Sequence, residues 1–181
     1  MKSEKIKKKI HYWTSDQKLK WFGYGEWIEE PDSLEIEYRG YKALVERISK
    51  QEPFAKEETY FGGHLCGYVV IPDDHPLFKK ENIDIDCHFG ITFNEAYEEH
   101  LIGFDCAHSG DYIPSMELIR KKCRLELYPI PKGYENFNIF NPTYRNVQYC
   151  IDECKKMIDQ LIIEKETWEK NKQSKKKSTT S

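Results

Sequence analysis

Hydrophobic and polar residues alternate over 34–38, where Leu34, Ile36 and Tyr38 are separated by Glu35 and Glu37; this is the pattern of a strand with one buried face. Gly40 permits a turn. Residues 41–48, centred on Ala43, Leu44 and Val45, then predict a second strand, with a short helix as the alternative. A further strand is expected over 64–71, stopped by Pro72-Asp73-Asp74. Residues 84–93 and 100–107 read as the two strands of a hairpin joined by 94–99, with Phe89, Ile91, Phe93, Ile102, Phe104 and Cys106 on one face. Residues 49–61 and 75–82 read as loops, 115–122 as a short helix and 123–128 as another strand.

The clearest helical period lies at the C-terminal side. Tyr144, Val147, Cys150, Ile151, Cys154, Ile158, Leu161 and Ile162 recur at threes and fours, with Asn141 as a candidate cap and Pro142 in the first turn. A helix of this kind must lay its apolar stripe on a sheet. The expected fold is therefore α+β: a mostly antiparallel sheet with one long C-terminal helix packed on one face. The expected organisation is a basic, partly disordered tail over 1–19, a single domain over 20–165, and a disordered Lys/Ser/Thr-rich tail over 166–181.

The other face of the hairpin carries the candidate chemistry. His88, Gly90 and Thr92 share one parity, and Gly103 and Asp105 sit opposite Ile102 and Phe104, so these five are expected to meet on the outer sheet face. Glycines inside strands often mark close approach by a ligand. A barrel corner or bulge explains them equally simply. His108 and Asp111 follow in a Ser-Gly turn, His64 opens a neighbouring strand, and Arg39 is a candidate partner for an anionic group. The ligand set read from the sequence is thus His64, His88, Gly90, Thr92, Gly103, Asp105, His108, Asp111 and Arg39. His88 with Asp105 is the expected imidazole–carboxylate pair, and His88, Asp105 and His108 form the candidate set for a divalent metal, the one cofactor the residues suggest. No established nucleotide-loop, nucleophile-elbow or metalloprotease motif accompanies them. Arg47 reads as a surface ion pair or an anion contact, His75 as structural, and His100 as a residue of the apolar face.

Length and charge narrow the partners. The chain of 181 residues suits one domain, and no apolar run approaches the roughly 18–20 residues of a membrane helix. Its formal charge of −3 hides an uneven distribution: setting aside the nine Lys and one Glu of 1–10 and 171–181 leaves 19 basic against 30 acidic residues. So acidic a body argues against nucleic acid as partner. The six cysteines form no C-x-x-C pair and sit among apolar neighbours, the pattern of reduced core thiols. Nothing in the sequence indicates an oligomer.

Several runs are familiar in their order: Tyr38-Arg39-Gly40-Tyr41, His64-Leu65-Cys66-Gly67-Tyr68-Val69 with Pro72 and His75-Pro76, His88-x-Gly90-Ile91-Thr92, Gly103-Phe104-Asp105-Cys106-Ala107-His108-x-Gly110-Asp111, and Tyr144-Arg145. Over about 35–162 the chain resembles a family of small uncharacterised bacteriophage and prophage proteins. That family has a glycine after the histidine, where this chain has Phe89, and aromatic residues where it has His100-Leu101. The resemblance implies the cytoplasm of a bacterial host and carries no established activity.

Three functions fit these readings. The leading one is binding of a small polar, nucleotide-derived ligand on the His/Asp/Gly face, countering a host defence. The second is a metal-assisted, phosphoesterase-like hydrolase using the same residues. The third is a protein-interaction module presenting the aromatic segment from Trp21 to Trp27, which fits a core equally well.

Overall fold

The alternation that marks 34–38 forms the second strand of a six-stranded sheet. The computed structural model describes residues 9–52, 59–126, 132–133 and 141–178. The strands are β1 (Lys9–His11), β2 (Ser33–Tyr38), β3 (Tyr41–Glu52), β4 (Thr59–Ile71), β5 (Phe93–Ala96) and β6 (His100–Asp105). They lie in the order β1-β2-β3-β4-β6-β5, every neighbouring pair antiparallel. Helices α1 (Ser15–Phe22), α2 (Met116–Glu126) and α3 (Val147–Ser178) complete the fold. No helix among the described residues is long and apolar enough to cross a membrane.

Local chemistry sets the strand connections. Arg39 and Gly40 both take positive φ, at 51° and 82°, between the paired Tyr38 and Tyr41; this two-residue turn matches the twist of its strands. The β3–β4 register shifts between Arg47 and Ser49, opposite Gly62. Gly62 has φ 132°, and a Cβ there would stand 2.2 Å from the Ile48 carbonyl oxygen, so the bulge requires glycine.

The sheet face carrying Leu34, Ile36, Ala43, Val45, Leu65, Val69, Ile71, Ile102 and Phe104 packs against Cys150, Ile151, Cys154, Met157, Ile158 and Leu161 of α3. Each such aliphatic side chain contributes about 1.5–3 kcal/mol on burial. Gly67 lies on this face, where a Cβ would come within 2.4 Å of the Phe104 ring and 2.9 Å of Cys154 Sγ, so it lets the helix approach the sheet. It opens no clearing on the outer face. All six cysteines are buried and free, the state expected of core thiols.

A buried ionic cluster fixes where α3 starts. Asp32 receives Lys18 Nζ at 2.9 Å and Arg47 Nε at 2.7 Å, while Glu30 receives another Arg47 nitrogen at 2.8 Å. Arg47 also donates to the Gly63 carbonyl and the Tyr144 hydroxyl, each at 2.7 Å. The second Glu30 oxygen accepts the Val147 N–H at 3.1 Å, and Asn146 Oδ1 accepts that of Tyr149 at 2.9 Å. These carboxylate and amide acceptors satisfy the first turn of the helix. Trp27 packs beside the cluster on Tyr112 and Tyr144, so the core of the aromatic segment is not a docking surface.

Several expected elements differ. Residues 84–92 are not a strand: Phe89 and Gly90 take positive φ, and Gly90 N–H closes a turn on the Cys87 carbonyl. The hairpin strands are β5 and β6, with the buried Ile85 and Cys87 supplied by irregular chain. The loop expected over 49–61 is shortened by the extensions of β3 and β4, and 53–58 lie outside the described residues. The strand expected over 123–128 falls partly within α2, its last two residues lying outside the described ones. The cap is Asn146 rather than Asn141. Within the expected tails, β1 and α1 occupy part of 1–19, and α3 runs on to Ser178.

Candidate functional site

The end of β6, the turn after it and the start of α3 bring most of the sequence-predicted polar residues together, around Asp111. Its carboxylate is about 1% exposed and accepts three donors: His88 Nε2 at 2.8 Å, the His108 backbone N–H at 3.0 Å and Arg145 Nε at 3.0 Å. Burial alone would raise the Asp111 pKa, but these donors outweigh it and hold the carboxyl below its ordinary value. The turn itself is pinned to the chain before α3, because Thr143 donates to the Gly110 carbonyl and Tyr112 to that of Thr143.

With Asp111 ionised, His88 donates to it through Nε2, and the Tyr149 hydroxyl lies 2.8 Å from Nδ1, within hydrogen-bond distance. Both ring nitrogens are thereby used. His88 contacts Phe104 and Tyr149 on the helix side of the sheet, whereas Asp105 belongs to the opposite parity of β6. The expected pairing of His88 with Asp105 is therefore corrected to His88 with Asp111.

Asp105 has other neighbours. Its carboxylate accepts the Ala107 N–H at 3.0 Å and lies 3.5 Å from His108 Nε2, an ion-pair separation without hydrogen-bond geometry. The His108 ring stacks on Phe89, with centroids 4.8 Å apart and planes at 23°. His64, on β4 two residues before the register partner of Asp105, is buried, and its Nδ1 has no hydrogen-bond partner among the described residues. Burial is the main influence on His64 and lowers its pKa to about 4, against opposing fields from Asp105 and Asp111.

The remaining predicted residues lie apart or differently. Gly90 follows Phe89 in the turn, with open space where a Cβ would be. Thr92 is exposed and uses its N–H on the Gly103 carbonyl. Gly103 does face outward, but a Cβ there would meet the Tyr68 ring at 2.5 Å, and Phe93 packs edge-on against Tyr68. Aromatic carbon fills the expected clearing. Arg39 bonds Asp159 on the surface at 2.7 Å, roughly 18 Å along the α3 axis from its first residue, Val147, at 1.5 Å per residue. It does not belong to the cluster.

The metal set His88, Asp105 and His108 does not assemble. Both His88 ring nitrogens are engaged by Asp111 and Tyr149, and no group of three or more His, Cys, Asp or Glu is placed to hold an ion among the described residues. Three residues of the cluster are absent from the ligand set read from the sequence: Phe89, Arg145 and Tyr149. Arg145 also stacks over the Tyr149 ring, 4.9 Å from its centroid. The i, i+4 spacing of Arg145 and Tyr149 at the mouth of the helix was the available signal.

Searches with protein-family models, among curated proteins and among solved structures find no match to this chain.

Proposed function

We propose that the protein binds a small anionic aromatic ligand, chemically a nucleotide, along the edge formed by Arg145, Phe89 and His108. The observation that carries this reading is the state of Arg145. Asp111 fixes its Nε, while its terminal amino groups make no hydrogen bond among the described residues and its side chain is 29% exposed. A guanidinium oriented in this way offers a two-pronged donor to phosphate.

Phe89 supports the aromatic half of the ligand. It is 64% exposed, and the stack on His108 leaves its ring at the surface, where a base can lie against it. Asp105, partly exposed beside them, can accept from a ribose hydroxyl or an exocyclic amine. In the phage setting implied by the sequence resemblance, holding a nucleotide signal without turning it over would blunt a host defence.

Calorimetric titration with AMP, GMP, cyclic di-AMP and cyclic di-GMP tests the reading. At least one of these nucleotides should bind, and Arg145→Gln should weaken it by about 10-fold or more, the scale of one charged hydrogen bond. No binding by any of the four, or equal affinity in the variant, sinks the proposal. Recovery of the nucleotide in hydrolysed form turns the assignment to a hydrolase.

A further inference from the structure

Helix α3 continues far beyond the sheet that it covers. Leu161 is the last buried residue over 147–175, and of the residues over 162–175 only Ile162 and Lys165 are even half-buried. At 1.5 Å per residue, the stretch from Ile163 to Ser178 projects by about 24 Å. It carries Ile163 at 61% and Trp168 at 45% exposure. Residues 170–178 contain five lysines and no acid.

The sheet face opposite α3 has the complementary character. An open depression of about 470 Å³ lies there, floored by Leu44, Val70 and Leu101. Glu35, Glu37 and Glu99 rim it, and the β5–β6 turn adds Glu98 and the 82%-exposed Tyr97. Lys9 pairs with Glu35 and Lys42 with Glu99, each at 3.3 Å, which leaves an acidic surplus.

We propose that the projecting end of α3 docks in the depression of a second copy of this chain. Its own depression is out of reach, because α3 is one continuous helix on the other face of the sheet. The helix leaves the body past Asp159, which bonds Arg39 in the β2–β3 turn, and past Lys165, which pairs with Asp74 just beyond β4. Lys42, Val70, Leu101 and Glu99 place the depression at that same end of the sheet. A two-fold axis beyond this end therefore makes the exchange reciprocal, each helix crossing to the partner's outer face and closing a dimer. Trp168 is the aromatic anchor, and Lys170, Lys172 and Lys175 beyond it meet the carboxylate rim.

Light scattering on the full chain after size exclusion, at about 100 μM protein and low salt, should give twice the 21.6 kDa monomer mass. Trp168→Ala should return it to monomer with its helical circular dichroism intact. Glu35→Lys/Glu37→Lys/Glu99→Lys reverses the rim, and Lys170→Glu/Lys172→Glu/Lys175→Glu turns the lysine-rich end of the helix net negative. Each variant alone should be monomeric, and an equimolar mixture should recover the dimer because both exchanged contacts regain opposite charge. A monomeric wild-type chain, a dimer that survives Trp168→Ala, or a mixture that stays monomeric overturns the proposal. A monomer that elutes with bound nucleic acid does so too, assigning the basic helix end to that partner instead.

Discussion

His88 Nε2 stands 2.8 Å from Asp111 Oδ2, and that bond ties the turn after Cys87 to the turn after β6. Arg145 joins the chain before α3 to the same carboxylate. Asp111→Ala leaves a buried imidazole N–H and a guanidinium without their acceptor, and should cost about 3–5 kcal/mol in urea unfolding. The folded-state pKa of Asp111 lies below its ordinary 3.8, so its contribution is complete above that pH and is lost as the pH falls through the folded value. Wild type should therefore lose stability below pH 4 more steeply than the variant; parallel acid-unfolding curves would contradict this role.

His64 acts in a higher pH window. Its folded pKa of about 4 lies below the ordinary 6.5, so between these values the unfolded chain binds more protons and stability falls as pH drops. The loss between pH 7.5 and 5 should be about 2 kcal/mol. In His64→Leu the difference between the two pH values should shrink by that amount. An unchanged difference would mean that the imidazole is not held neutral by burial.

Arg47 satisfies four acceptors at once, on Asp32, Glu30, Gly63 and Tyr144. A lysine ammonium has three donors radiating from one nitrogen and cannot reproduce the planar fork. Arg47→Lys should destabilise by at least 2 kcal/mol and Arg47→Met by about 3–5 kcal/mol, with α3 fraying first because Glu30 caps Val147. Adding Glu30→Gln to Arg47→Met should cost less than the two changes sum to. Strict additivity in that cycle would show that Arg47 and Glu30 are not coupled.

Strands β2 to β4 and the body of α3 were legible because each buries one face, and one buried face writes its period into the local sequence. The hydrophobic alternation over 84–93 misled for a specific reason. Ile85 and Cys87 are buried in alternate positions, but positive φ at Phe89 and Gly90 turns the chain before strand pairing begins at Phe93. Lys18 was equally hidden: a lysine near a basic terminus gives no local sign that Asp32 and the carbonyls of Trp27, Ile28 and Glu30 will surround its ammonium. The candidate site was half legible. Its histidines and aspartates stood close in sequence, but Arg145 and Tyr149 reach them from 34 and 61 residues away.

Phe89 provides the last test, because its backbone and its side chain make opposite demands. Its φ of 52° lies in the left-handed region, which is costly for an aromatic residue and easy for glycine. Holding such a conformation costs on the order of 1–3 kcal/mol. Phe89→Gly removes that strain together with the stack on His108, and should raise stability by about 1 kcal/mol in urea unfolding. Phe89→Ala loses the stack but keeps most of the strain, and should be less stable than wild type. If the ring is a platform for a base, both variants should bind the nucleotide at least fivefold more weakly, since one stacked base contributes about 1–3 kcal/mol. Glycine should then give a more stable protein that binds less well, the pattern of a residue kept for contact rather than folding. Equal affinity in all three proteins would remove Phe89 from the site, and a less stable Phe89→Gly would show that its stack on His108 outweighs the backbone strain.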